Sequence, residues 1–451
     1  MMSIAQAAMA LGVRSSGRDT VFTGVSSDTR TLKTGDLFVA LRGERFDGHG
    51  FLDAARAAGA AAAMVERRYK GPYPLPVIVV EDSKLALGDL ASRWRSRFAP
   101  VLVAVTGSNG KTTVKEMLAS ILRSHAGEQA VLATAGNLNN DIGLPLTLLG
   151  LRDAHRYCAV ELGMNHKGEI AYLAAIAQPT VALVNNAQRE HLEFMQSVDE
   201  VAAENASVYG RLPADGVAVV NVDDAHAGFF RQAAGTRRVM DFSLDTGAAV
   251  TGGYTLKQLS SEIRIKTTDG EAAATLAIPG LHNVRNALAA AACACAAGIA
   301  LQAIAEGLSR FRPYGGRLQV KQARDGATLV DDSYNANPDS VRAAIDVLAS
   351  CPGPTVLVLG DMGEVGSRGA EFHREVGAYA RDKGISRLLA LGEATRHAVA
   401  AFGSGAQHFQ HLEELVAAVS GRTVLVKGSR FMKMERVVAA LTGAAAAAGS
   451  H

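Results

Sequence analysis

Cysteine is scarce in this chain of 451 residues: Cys158, Cys293, Cys295 and Cys351 are the four, each set among apolar neighbours. So few and so scattered, they exclude a disulfide framework, and Cys293-Ala-Cys295 has neither zinc spacing nor partner histidines nearby. All four read as buried thiols, consistent with a reducing cytoplasmic setting. Aromatic residues make up only 5% of the chain, which argues against a stacking platform for nucleic-acid bases. Charge of one sign is missing too: 46 Lys and Arg against 44 Asp and Glu leave a formal net charge of +2. No nucleic-acid partner is expected, and an acidic ligand must be held by local clusters rather than by the field of the whole molecule. The longest apolar run, Ala287 to Leu301, is mostly alanine with a glycine inside and is shorter than the roughly 20 residues of a membrane span. It reads as a buried helix. The N-terminal MMSIAQAAMALG lacks a basic segment and reads as a short amphipathic helix, not a signal peptide.

What is present is length and pattern. Single cores stop growing near roughly 250–300 residues, so several domains are expected. Residues 1–83 mix short β-rich runs (Val21 to Thr23, Asp36 to Leu41, Pro76 to Val80) with an alanine-rich helix, Phe51 to Ala63, and predict a small α/β unit. From Lys84 a helix ending near Phe98 leads into Val101 to Val105. Apolar runs at Ala130 to Ala133, Tyr157 to Val160, Thr180 to Val184 and Val217 to Asn221 then alternate with helical periods. Short continuous apolar strands joined by helices indicate a mostly parallel sheet covered on both faces. The thinner, alternating run Leu259 to Thr267 suggests an antiparallel addition before a helix over Val284 to Ala297. A Pro/Gly hinge at Arg312 to Arg317 closes this section, giving a central domain of 84–313. Residues 314–451 alternate again, with strands at Thr328 to Val330, Val356 to Leu359, Leu388 to Leu391 and Val424 to Val426, and predict a third, Rossmann-like α/β domain. The tail from Gly443 is low complexity and is given no function.

The chemistry concentrates at strand ends. In Val103 to Met117 an apolar strand runs into Thr106-Gly107-Ser108-Asn109-Gly110-Lys111-Thr112-Thr113 at the head of a helix, a phosphate-binding loop with a shorter glycine interval than the common form. Backbone N–H groups and the helix N-terminus favour phosphate, Lys111 adds a point charge, and the Thr112 hydroxyl suits Mg²⁺. Glu161 and His191 follow the ends of parallel strands, the edge where open α/β sheets bind ligands, and together they suit a second cation. The turn Asn137-Leu138-Asn139-Asn140 and the segment Asp331-Asp332-Ser333-Tyr334-Asn335 add polar groups, as do Ser27-Asp28-Thr29-Arg30 in the first section.

Together these segments resemble the Mur ligase family, ATP-dependent amide-forming enzymes of cell-wall precursor synthesis, whose phosphate loop has this same short interval. Asp332 to Pro338, Gly136 to Gly143, Glu161 to Asn165 and Leu359 to Glu364 look like the branch that joins D-alanyl-D-alanine to UDP-N-acetylmuramoyl-tripeptide through an acyl phosphate. The resemblance implies ATP on Thr106 to Thr113, with Asn286 at adenine and Arg317, Asp332, Tyr334 and Asn335 around phosphate and ribose. It implies a first Mg²⁺ at Thr112 and a second on Glu161 and His191, with Lys111, Glu161 and His191 as the catalytic set. Ser27 to Arg30 and Asp47-Gly48-His49 resemble the uridine-diphosphate pocket, and Asn137, Asn139 and Asn140 face the substrate. A cytoplasmic monomer is expected.

One departure stands out. Many family members carry a carbamylated lysine some fourteen positions after the metal histidine, where this chain has Asn205. Two readings follow: Asn205 or Glu204, with water, takes over the supporting role, or the second cation is held more weakly. The first is favoured. The departure also keeps open a non-catalytic binding paralogue, and the family itself a neighbouring ligase for diaminopimelate, lysine or folylpolyglutamate.

Overall fold

The computed structural model describes residues 1–43, 46–245 and 247–444. The tail beyond residue 444 lies outside them. Central to the fold is a nine-stranded sheet in the order Val131–Ala133, Tyr157–Glu161, Val101–Thr106, Val181–Val184, Val217–Asn221, Arg238–Ser243, Val250–Leu256, Ser261–Thr267, Gly270–Leu276. The pairs from Val131–Ala133 through Val250–Leu256 are parallel, and the last two strands are the expected antiparallel addition, joined to the same sheet.

The run Val101 to Thr106 shows why continuous apolar strands mark a sheet covered twice. Its side chains alternate faces. Val103 and Val105 pack with the phosphate-loop helix (Lys111–Ala126) and the alanine-rich helix (Leu281–Ala296). Leu102 and Ala104 pack into the opposite core with helices Ser83–Arg95 and Glu169–Ala177. Alanine at Ala289 to Ala292 lets the buried helix lie close to the sheet. It is the apolar run read as a core helix, and among the described residues no helix is long and apolar enough to cross a membrane. The cysteines are free, and burial pushes the Cys158 thiol up to about 12, far from a reactive thiolate.

The N-terminal section carries a five-stranded sheet, and the C-terminal section a six-stranded one in the order Gln319–Gln322, Thr328–Asp332, Thr423–Lys427, Thr355–Gly360, Arg387–Leu391, Ala406–Phe409, parallel except at its first pair. One expected element differs. The helix anticipated over Phe51 to Ala63 spans only Leu52–Ala57, and Ala62–Glu66 is a strand. Gly59, at φ +92°, turns the chain out of the helix, and burial between Asp36–Val39 and Val77–Val80 outweighs alanine's helical preference.

Candidate active site

Register brings the functional strand ends level. Val105 pairs with Glu161 and Thr106 with Val184, so the phosphate loop, Glu161 and the segment leading to His191 leave the sheet at one edge. Gly110 starts the loop helix at φ +83°, and a Cβ there would lie 2.3 Å from Asn286 Oδ1, so only glycine fits. The loop is pinned from the neighbouring strand: Ser108 N–H donates to Asn186 O at 3.0 Å and Asn109 N–H to Asn186 Oδ1 at 2.8 Å. Lys111 Nζ donates to Gly107 O (2.6 Å), Ser108 O (3.0 Å) and both Glu190 carboxylate oxygens (3.1 Å each).

A cavity of about 620 Å³ opens in front of the loop, lined by Ser108 to Thr112, Asn137, Asn139, Asn140, Glu161, Glu190, His191, Arg317, Tyr334 and Asn335. Most of the predicted set is thus brought together. Glu161 is 2% exposed; its Oε1 accepts from Asn139 Nδ2 at 2.7 Å, while its buried Oε2 has no hydrogen-bond partner. A buried, half-satisfied carboxylate on the cavity that the phosphate loop lines suits a divalent cation, and Thr112 and His191 share the same wall. His191 sits at φ +53° and Glu364 at φ +58°, both strained for non-glycine residues, and His191 Nδ1 lies 2.6 Å from Glu364 Oε2. That contact holds the Glu364 carboxyl below the usual carboxylate range.

A second cavity of about 310 Å³ adjoins the loop, lined by Asn109, Gly110, Thr113, Asn286, Arg317, Asp332 and Lys427. Asn286 belongs to a polar chain, accepting from Asn185 Nδ2 (3.0 Å) and donating to Asn283 Oδ1 (3.1 Å). Asp332 takes Lys427 Nζ at 2.6 Å and Leu318 N–H at 3.2 Å. Burial pushes the Asp332 carboxyl up and the Lys427 ammonium down, and their mutual contact opposes both. Lys427 had no motif to reveal it. Arg317 bridges the two cavities and stacks on Tyr334, 4.2 Å from its ring centroid.

The C-terminal section closes the front of the site through charge. Arg189, in the segment after Val181–Val184, donates its backbone N–H to Asp339 Oδ2 (3.0 Å), and its guanidinium chelates Asp339 and Glu375 at 2.5–3.2 Å. Asn337, the N-cap of helix Pro338–Ala349, donates to Asn109 Oδ1 at 2.9 Å.

One expected group is not gathered here. Ser27, Asp28, Thr29, Arg30, Asp47, Gly48 and His49 line neither cavity. His49 is fully engaged, Nδ1 with Asp47 Oδ1 (2.5 Å) and Nε2 accepting from Glu66 N–H (2.9 Å), so it braces its own loop. Asp28 is clamped by Arg30, which lowers its carboxyl. Asn140 is on the main cavity wall, and its Oδ1 also accepts from Gly143 N–H at 2.8 Å as a turn cap.

The favoured reading of Asn205 and Glu204 is overturned. Asn205 is fully buried, its Oδ1 accepting from Thr106 Oγ1 at 2.6 Å and its Nδ2 donating to Val201 O at 2.9 Å. Glu204 caps helix Glu169–Ala177, accepting from Gly168 N–H and Ile170 N–H at 2.8 Å each. Helix phase turns both away from the cavity. Asn205→Ala is therefore expected to cost about 1–3 kcal/mol of stability by orphaning the buried Thr106 hydroxyl, as read by denaturant unfolding, with the Mg²⁺ dependence of nucleotide binding unchanged.

Comparison with known proteins agrees with this architecture. Residues 21–95 match the Mur ligase family catalytic domain, 105–294 the Mur ligase middle domain, and 316–430 the Mur ligase glutamate ligase domain. The chain belongs to the Mur ligase family. The UDP-N-acetylmuramoyl-tripeptide–D-alanyl-D-alanine ligase of Escherichia coli K12 is 42% identical over 94% of this chain and 95% of its own length. A crystal structure of MurF from Acinetobacter baumannii superposes with a TM-score of 0.90 at 34% identity, covering 98% of this chain and 99% of that one. MurF from Thermotoga maritima in complex with ADP gives 0.81 at 26% identity over 95% and 99%.

Proposed function

We propose that the chain is an ATP-dependent, ADP-forming ligase that joins D-alanyl-D-alanine to UDP-N-acetylmuramoyl-tripeptide in peptidoglycan precursor synthesis, acting as a cytoplasmic monomer. The observation that carries this reading is the meeting of the loop lysine Lys111, the half-satisfied Glu161 and the Tyr334–Asn335 segment around one cavity, with a nucleotide-sized annex behind the loop. In this reading residues 1–83 hold the UDP substrate, 84–313 the nucleotide, and 314–451 the incoming dipeptide and ribose.

The terminal carboxylate of the tripeptide attacks the γ-phosphorus and ADP leaves. The dipeptide amine then attacks the acyl carbon, and phosphate departs as the amide forms. Lys111 and the loop N–H groups neutralise and orient the phosphates. Thr112, Glu161 and His191 would hold Mg²⁺, whose charge lowers the repulsion between carboxylate and triphosphate. Asn139 orients Glu161, and Lys427 fixes the Asp332 carboxylate for ribose. The ion pairs of Arg189 draw the C-terminal section over the site and keep water from the acyl phosphate. Neighbouring family ligases are disfavoured by the segment Asp332 to Pro338, and a non-catalytic paralogue by the intact Lys111, Glu161 and His191.

Phosphate release from ATP tests the reading. It is expected to require both UDP-N-acetylmuramoyl-tripeptide and D-alanyl-D-alanine. Binding of the substrates without turnover would contradict it.

A further inference from the structure

The resemblance leaves a gap at Asn205, and the structure shows that neither Asn205 nor Glu204 fills it. Two carboxylates lie at the metal histidine: Glu364, 2.6 Å from its Nδ1 and off the main cavity wall, and Glu190 on the cavity side. Glu190, the residue before His191, lines the main cavity with its side chain only 11% exposed. Its carboxylate lies 3.1 Å from Lys111 Nζ and 3.5 Å from His191 Nε2. The other acidic groups on the cavity wall are committed elsewhere: Asp141 pairs with Lys84 at 2.7 Å, and Glu169 accepts from the backbone N–H groups of Asn165 and His166. Across the cavity, Glu161 Oε2 is buried without a partner.

We propose that Glu190 supplies the negative charge that holds a divalent cation between Glu161 and His191, in the role the family resemblance gives to a lysine carbamate. This rests on the reading that the cavity takes a metal–nucleotide.

Charge balance gives the sequence of events. Glu190 neutralises Lys111 at 3.1 Å. Triphosphate oxygens are stronger competitors for that ammonium, because they bring more charge onto the same point. Once Lys111 turns to phosphate, a mostly buried carboxylate is left without a counter-charge, which is costly unless a cation replaces the lysine. Among the described residues no three His, Cys, Asp or Glu side chains converge on one point, so Glu190, Glu161 and His191 would need the rearrangement that follows release of Lys111 to share a cation. The exchange makes nucleotide and cation binding mutually reinforcing without a carbamate, and therefore without dependence on dissolved CO₂.

Titration of the full chain with Mn²⁺ in the presence of ADP, followed by the loss of the free-Mn²⁺ electron paramagnetic resonance signal, tests this directly. Glu190→Gln is expected to weaken Mn²⁺ binding about 10- to 100-fold, the range for lost groups that support a metal site, while Glu190→Asp recovers most of it. ADP binding in EDTA, followed by calorimetry, is expected to be unchanged or tighter in Glu190→Gln, because Lys111 is released from its partner. Mn²⁺ affinity equal to that of the parent chain overturns the proposal. So does parallel loss of Mn²⁺ and metal-free ADP binding, which would make Glu190 a brace for the loop. If the parent chain binds neither ADP nor Mn²⁺, the nucleotide reading fails and this inference falls with it. A parent chain that binds both, with Glu190→Gln binding both at the parent's affinities, overturns the inference alone.

Discussion

Lys111→Ala is expected to lower turnover by about 10³-fold or more while binding of UDP-N-acetylmuramoyl-tripeptide stays measurable by calorimetry. The magnitude follows from Coulomb's law: a unit charge about 4 Å from a phosphate contributes about 4 kcal/mol at an effective dielectric near 20, and each 1.4 kcal/mol is tenfold in rate. Lys111 is 14% exposed, so solvent screens it little. Its loss removes the cation from the phosphates and also leaves the Glu190 carboxylate facing them. Both effects act on the phosphoryl-transfer step. The UDP-substrate residues proposed in 1–83 line neither cavity beside the loop, so binding there is expected to survive. Loss of binding together with turnover would show that the bonds from Lys111 to Gly107 O and Ser108 O hold the fold, and would contradict a role confined to phosphate.

Arg189→Ala is expected to cut kcat/KM about 10- to 100-fold and to enlarge the radius of gyration measured by small-angle X-ray scattering. The single guanidinium ties the central sheet to two helices of the C-terminal section, through Asp339 and Glu375. Removing one partner of a buried ion pair costs about 3–5 kcal/mol, but these three side chains are about a quarter exposed, so about 1–3 kcal/mol is the discounted expectation. Arg189→Lys should not restore the parent rate, because an ammonium cannot chelate two carboxylates with a planar fork. Glu375 is held down to about 2, first by Arg189 and then by Arg342, from an ordinary value of 4.5. A depressed carboxylate stabilises the closed form above the ordinary value and loses that contribution as pH falls toward 2. The closure is therefore expected to be constant through neutral pH and to weaken only below about 4.5. An unchanged radius and rate in Arg189→Ala would remove the ion pairs from the closing mechanism.

How much could be read in advance depended on the range of the interaction. The phosphate loop was legible because strand, glycine turn and helix start are consecutive, and Glu161 and His191 were legible because a parallel sheet sends its strand ends to one edge. Asn205 was misread because an offset from His191 says nothing about helix phase; in Val198–Ala206 that phase points it at Thr106. His49, expected beside the uridine diphosphate, also accepts from Glu66 N–H, 17 residues away, a tie that no local motif announces. The latch from Arg189 to Glu375 spans 186 residues, and the pair of Lys427 with Asp332 spans 95. The first appears only once the central and C-terminal sections are placed against each other, the second only once the strand order of the C-terminal sheet makes Asp332 and Lys427 neighbours. Glu190 had a signal of another kind: an acidic residue directly before a candidate metal histidine, in a chain lacking the expected lysine.

The account's central claim, amide formation through an acyl phosphate, is tested most directly by oxygen transfer. UDP-N-acetylmuramoyl-tripeptide labelled with ¹⁸O in its terminal carboxylate would be turned over with ATP and D-alanyl-D-alanine, and the released phosphate analysed by mass spectrometry. Attack of the carboxylate on the γ-phosphorus predicts one ¹⁸O in each phosphate per amide formed. Amide formation with unlabelled phosphate would contradict it.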